Sequence, residues 1–95
     1  MKKGRVLIAD DDPGLRQAVR SVLEYDDYEP LEAEDGAGAL QVLRKGRVDV
    51  LLLDVKMPGM DGFEVMQAMD AEDLDVPVVV ISAHDAVPTA VEAIR

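Results

Sequence analysis

The feature that most constrains this chain is a series of short apolar runs, each followed by a longer stretch of helical period. Arg5-Val6-Leu7-Ile8-Ala9, Val48-Asp49-Val50-Leu51-Leu52-Leu53 and Val76-Pro77-Val78-Val79-Val80-Ile81 are compact and rich in valine, isoleucine and leucine. A half-solvated strand alternates apolar and polar residues, whereas runs apolar at successive positions suit parallel strands covered on both faces. Residues 28–33 form a weaker candidate interrupted by Pro30, and a strand that lacks one N–H belongs at a sheet edge. Between these runs the period lengthens. Leu15, Val19, Val22 and Leu23 repeat at helical spacing behind Asp12 and Pro13, which suit an N-cap and a first helical position. Leu40 and Leu43 predict a short second helix ending near Gly46, where glycine closes helices most easily. Phe63, Met66 and Met69 predict a third, with Asp61 and Glu64 spaced as a capping box. Val87, Ala90, Val91 and Ile94 predict a fourth, cut off by the end of the chain. Strands alternating with helices imply right-handed crossovers and a parallel sheet covered on both sides. The expected fold class is therefore α/β, doubly wound, in a single domain over residues 1–95.

Composition narrows the function classes. With 95 residues, 48% apolar and 32% charged, the chain suits one small globular domain. It has no cysteine, so disulfides and thiolate metal sites are excluded, and its single histidine, His84, argues against a zinc site. No apolar run approaches the roughly 20 residues that span a bilayer. Lys2, Lys3 and Arg5 precede an apolar stretch too short for a signal peptide, so no membrane association and a cytoplasmic location are expected. The formal charge of −10 opposes direct nucleic-acid binding, and any action on DNA is expected to pass through something attached. Most of the carboxylates are expected to do no more than solvate the surface.

In open parallel sheets, ligands bind beyond the carboxyl ends of the strands, where strand order reverses. The first run ends in Asp10-Asp11-Asp12, the third strand in Asp54, and the fourth in Ser82-Ala83. If the first and third strands are neighbours, Asp10, Asp11 and Asp54 converge at one sheet edge. Carboxylates gathered in one pocket repel, and such a cluster calls for protonation or a cation. Oxygen ligands at this density favour Mg²⁺, which keeps several waters and takes one or two carboxylates together with phosphate oxygens. Asp12 is accounted for as a helix cap; a turn is a poor account of Asp10, Asp11 and Asp54 together. A carboxylate beside Mg²⁺ can attack phosphorus and form an aspartyl phosphate. Ser82 could donate a hydrogen bond to a phosphoryl oxygen, although a serine after a strand is often only a turn residue.

The sequence resembles response regulator receiver domains. Val6-Leu7-Ile8-Ala9-Asp10-Asp11-Asp12, with Arg16 downstream, looks like their opening strand and acidic pair. Leu51-Leu52-Leu53-Asp54-Val55-Lys56-Met57-Pro58-Gly59-Met60-Asp61-Gly62 looks like the phosphorylation-site segment, and Val78-Val79-Val80-Ile81-Ser82-Ala83-His84 like the fourth strand with its Ser/Thr switch. The resemblance implies a flavodoxin-like sheet of strand order 2-1-3-4. It implies that Asp54 takes a phosphoryl group from a phosphohistidine on a sensor histidine kinase. It also implies that Asp11 and Asp54 bind Mg²⁺ directly, Asp10 mainly through water, and the Lys56 backbone carbonyl as a further ligand. His84 would tune how long the phosphoryl group survives, or be an ordinary loop histidine. The Pro58-Gly59 pair suits a sharp reversal after Asp54, expected to leave Asp54 exposed while Gly62 begins the next helix. The tail Thr89-Ala90-Val91-Glu92-Ala93-Ile94-Arg95 resembles receivers of the nitrogen-regulation type, which implies an output domain acting on transcription.

The chain also departs from the family pattern. It stops within the expected fourth helix, without the fifth strand, its lysine and switch aromatic, or the fifth helix; Lys2, Lys3, Lys45 and Lys56 do not fill that lysine's place. The strand Val78–Ile81 would then be an apolar edge open to another chain. The expectation is either self-association as a homodimer through this edge or a continuation in a longer protein. Alternative readings are an interaction or dimerisation module that is never phosphorylated, a Mg²⁺-dependent phosphohydrolase using Asp10 and Asp12, and a flavin binder. The second lacks the following hydroxyl and room for a cap; the third lacks a Ser/Thr/Gly-rich phosphate loop after the first strand.

Overall fold

A computed structural model describes residues 2–81. In chain order the elements are β1 (Arg5–Ala9), α1 (Pro13–Tyr25), β2 (Glu29–Ala33), α2 (Gly36–Lys45), β3 (Val50–Asp54), α3 (Gly62–Ala71) and β4 (Val78–Ile81). The strands form one parallel sheet in the order β2-β1-β3-β4, the doubly wound arrangement expected from the alternation of runs and the flavodoxin-like strand order that the resemblance implied. The expected fourth helix and the residues after Ile81, Ser82 and His84 among them, lie outside the described residues.

Helix starts follow from local chemistry. The first N–H groups of a helix have no partner within it, and a preceding carboxylate can accept from them. Asp12 accepts from the amides of Gly14 and Leu15 ahead of α1, with Pro13 at the first helical position, and Asp35 does the same for Gly38 in α2. Asp61 and Glu64 form the expected capping box at α3: the Glu64 amide donates to Asp61 Oδ1 at 2.9 Å, and the Asp61 amide donates to Glu64 Oε1 at 3.0 Å. α2 ends at Gly46, whose amide donates to the Leu43 carbonyl.

Strand placement follows equally simple rules. β2 lies at the sheet edge, as Pro30 requires. The Glu29 amide donates to the Gly4 carbonyl on the β1 side, so the next residue, Pro30, turns its missing donor toward the open side. β3 starts two residues later than the apolar run suggests and runs one further, to include Asp54. Asp49 is instead used as a clasp: its Oδ2 accepts from the Arg5 amide at 2.7 Å, and its own amide donates to the Arg5 carbonyl at 2.8 Å.

The main core lies between one sheet face and the helices α2 and α3. Leu7 and Ala9 of β1 and Leu51 and Leu53 of β3 are fully buried and pack with Leu40, Leu43, Val65 and Met69. Two details differ from the helical periods read in sequence. In α3 the buried stripe is Val65 and Met69, one turn apart, while Phe63 is 51% exposed. In α1 the half-buried stripe is Leu15, Val19 and Leu23, and Val22, on its shoulder, is 68% exposed. α1 has no buried residue at all, so apolar spacing located the helix but did not fix which shoulder meets the sheet. At the other edge, β4 leaves Val79 38% exposed.

Leu51 sits at the centre of this core with no exposed surface. Leu51→Ala is expected to cost about 3 kcal/mol, the lost transfer energy plus the cavity left behind, read as a lower midpoint in urea unfolding with an unchanged slope.

Candidate functional site

The site is set by register. β1 and β3 are parallel neighbours, with Ala9 paired to Leu53. The residues next in line, Asp10 and Asp54, therefore emerge side by side at the carboxyl end of the sheet, and Asp11 follows Asp10 around the rim. Carboxylate oxygens of Asp10, Asp11 and Asp54 all lie within 4.8 Å of one another. Asp10 is 2% exposed and Asp54 8% exposed, while Asp11 faces solvent.

Burial of Asp54 corrects the expectation that the Pro58-Gly59 turn leaves it exposed. The turn does form, with Gly59 at φ 79°, a left-handed backbone conformation that glycine adopts without strain. It folds the chain back over the strand end rather than away from it. The Gly62 amide donates to the Val55 carbonyl at 3.0 Å, and the Lys56 amide donates to Asp54 Oδ1 at 3.1 Å. At Gly62 a Cβ would stand 2.7 Å from the Asp54 carbonyl oxygen, so the start of α3 rests directly on the Asp54–Val55 peptide. Val55 and Met57 are buried with it.

Among the described residues no salt bridge involves the carboxylates of Asp10, Asp11 or Asp54. Burial pushes the Asp10 carboxyl above the ordinary aspartate range; the Asp12 amide hydrogen bond opposes this, and the charges of Asp54, Asp11 and Asp12 add to it. A compact oxygen-only donor set, two of its members buried, fits a hard divalent cation of the Mg²⁺ kind. The donors are carboxylates gathered within 4.8 Å of one another, and a cation would supply charge opposite to theirs.

Sequence reasoning missed two features. The first is that Glu34 and Asp35 join Asp11, Pro58 and Gly59 around an open cleft at the site. Their signal was present, because both residues directly follow the carboxyl end of β2. Asp35 is engaged as the α2 cap. The second is what Arg16, noted in the opening motif, binds. Its Nη1 donates to the Asp10 carbonyl oxygen at 2.6 Å, and its Nε donates to Glu32 Oε1 at 3.0 Å; Arg20 Nη1 donates to Glu32 Oε2 at 2.7 Å. A pairing of α1 with β2 across sixteen positions leaves no trace in local spacing.

Comparison with known proteins gives a consistent result. The family model described as the response regulator receiver domain matches residues 6–95. The sporulation initiation phosphotransferase F of Bacillus subtilis is 36% identical over 84 residues, covering 88% of this chain and 68% of that protein. The C4-dicarboxylate transport transcriptional regulatory protein DctD of Pseudomonas aeruginosa is 37% identical over 91 residues, covering 96% of this chain; the chain spans only 20% of DctD. The solved structure of the response regulator protein TrrA of Thermotoga maritima, in complex with Mg(2+)-BeF, superposes with a TM-score of 0.80 at 33% identity, covering 90% of this chain and 72% of that one.

The Arg16–Glu32–Arg20 network carries a pH signature. Burial works against ionisation of Glu32, but hydrogen bonds from Arg16 and Arg20 outweigh it and hold the carboxyl below the ordinary glutamate range. A lowered folded pKa gives stability that is present above the unfolded value and lost as pH falls through the folded one. Glu32→Gln is thus expected to cost about 1 kcal/mol at neutral pH. Thermal melts followed by circular dichroism should show the gap to the wild type closing in acid below the glutamate range.

Proposed function

The chain belongs to the response regulator receiver family, and on that premise we propose that Asp54 is its phosphoacceptor. A carboxylate oxygen of Asp54 attacks the phosphorus of a phosphohistidine on a sensor histidine kinase. The new O–P bond forms as the P–N bond breaks, the imidazole leaves with its electron pair, and an aspartyl phosphate results. The observation that carries this reading is the meeting of three carboxylates at the tips of two neighbouring parallel strands, within 4.8 Å of one another.

Asp10, Asp11, Asp54 and the Lys56 backbone carbonyl would hold Mg²⁺. When bound, Mg²⁺ offsets the charge on the phosphoryl oxygens and orients the group for in-line transfer. The Mg(2+)-BeF complex of TrrA, at 33% identity, supports the choice of metal. The residues of the chain do the rest. The Lys56 amide, 3.1 Å from Asp54 Oδ1, holds one carboxylate oxygen and leaves the other for attack. Burial of Asp54 keeps bulk water from competing for that oxygen. Ser82 donates a hydrogen bond to the phosphoryl group, and His84 tunes its lifetime; both roles rest on sequence position beyond β4.

The domain is a regulator that assists only its own phosphorylation and dephosphorylation, and it passes the signal to an attached or partner output, transcription in the reading favoured by DctD. No helix among the described residues is long and apolar enough to cross a membrane, which suits work in the cytoplasm beside the kinase. The acidic surface, at −10 overall, suits an indirect effect on DNA.

Incubation with acetyl phosphate and Mg²⁺, followed by intact-mass measurement, tests the reading. The wild type is expected to gain one phosphoryl group, and Asp54→Asn or a chelator is expected to abolish the gain. An unmodified wild type, or a gain that survives Asp54→Asn, overturns the assignment; the former outcome favours an interaction or dimerisation module.

A further inference from the structure

The Arg16 guanidinium makes a contact that a simple surface ion pair would not. Its Nε reaches Glu32 Oε1 at 3.0 Å and its Nη1 reaches the Asp10 carbonyl oxygen at 2.6 Å, so one planar group joins α1, β2 and the end of β1. The Arg16 side chain is only 15% exposed, and a charge-assisted bond shielded in this way is stronger than an exposed one. The peptide it grips, Asp10–Asp11, carries two of the three clustered carboxylates on its two flanking residues.

Among the described residues, the other bonds nearby hold the peptides before and after it and the Asp10 side chain. The Asp10 amide donates to the Ala33 carbonyl at 3.1 Å, and Asp10 Oδ1 accepts from the Asp12 amide at 2.8 Å. Three like charges favour splaying of the rim, and rotation of this peptide would carry Asp11 away from Asp54. A donor fixed on the Asp10 carbonyl oxygen blocks that rotation.

We propose that Arg16 is a positioning residue for the metal site, clamping the Asp10–Asp11 peptide so that both carboxylates stay directed at one cation. The clamp needs a fork: the guanidinium presents two donors in fixed directions, and a lysine ammonium can serve as only a single point of charge between the same acceptors. Arg20 shares Glu32 but makes no hydrogen bond to the Asp10 backbone among the described residues. It supplies a control that perturbs the same ion pair without releasing the clamp.

The inference rests on the Mg²⁺ reading of the site, and calorimetric Mg²⁺ titration of folded protein separates the two. Wild type is expected to bind one Mg²⁺. Arg16→Met is expected to weaken binding about ten-fold, the scale of lost outer contacts at metal sites, and Arg16→Lys to weaken it in the same direction. Arg20→Met is expected to lower thermal stability yet keep the wild-type affinity. A second readout needs no metal: amide exchange at Asp12, whose N–H donates to Asp10 Oδ1, should quicken in both Arg16 variants and stay slow in Arg20→Met. Should Arg16→Met fail to fold, Arg16→Lys decides. Wild-type affinity and wild-type Asp12 exchange in the folded Arg16 variants overturn the clamp alone. Absence of Mg²⁺ binding by the wild type overturns the metal reading and the clamp with it.

Discussion

Everything in this molecule that bears on function descends from the parallel pairing of β1 with β3. The pairing of Ala9 with Leu53 decides which residues leave the sheet together. A slip of one position would turn every side chain of β3 to the opposite face. Leu51 and Leu53 would leave the core, and Asp54 would point away from Asp10. The core thus enforces the register, and the register assembles the site. Hydrophobic burial at Leu7, Leu51 and Leu53 holds together charges that would otherwise separate.

The cluster and the core are opposed in energy and joined in space. Burying like charges is unfavourable, and the upward push on the Asp10 carboxyl is the local sign of it. The fold tolerates this because Asp10 and Asp54 are strand-end residues whose backbones are already fixed by the sheet. Beyond them the rim is braced by bonds to the chain itself: the Asp12 amide on Asp10, the Lys56 amide on Asp54 and the Arg16 guanidinium on the Asp10 carbonyl.

Much of this was legible in the sequence, and the reasons are local. Asp12-Pro13 and Asp61 with Glu64 announce helix starts through bonds spanning no more than three residues. The uninterrupted apolarity of Val6 to Ala9 and Leu51 to Leu53 requires cover on both faces, and parallel order with crossovers then brings Asp10 and Asp54 near each other. What was not legible depends on contacts distant in sequence. The burial of Asp54 comes from the return of the loop onto its own strand end. The part played by Arg16 depends on Glu32 from another strand, and the outward turn of Phe63 depends on where α2 meets α3. Apolar spacing identifies a helix, while its neighbours choose the buried face.

The contact at Gly62 has a mechanical consequence. With a Cβ there excluded by the Asp54 carbonyl oxygen at 2.7 Å, no side chain cushions the junction between the strand tip and the helix that follows. The Gly62 amide is bonded to the Val55 carbonyl, and the capping box stiffens the first turn beyond it. A tilt of the Asp54–Val55 peptide thus meets no soft element that could absorb it locally. The first turn of α3 and the residue that would receive the signal are therefore in direct backbone contact, and a change in the peptide at one would be felt at the other without an intervening side chain.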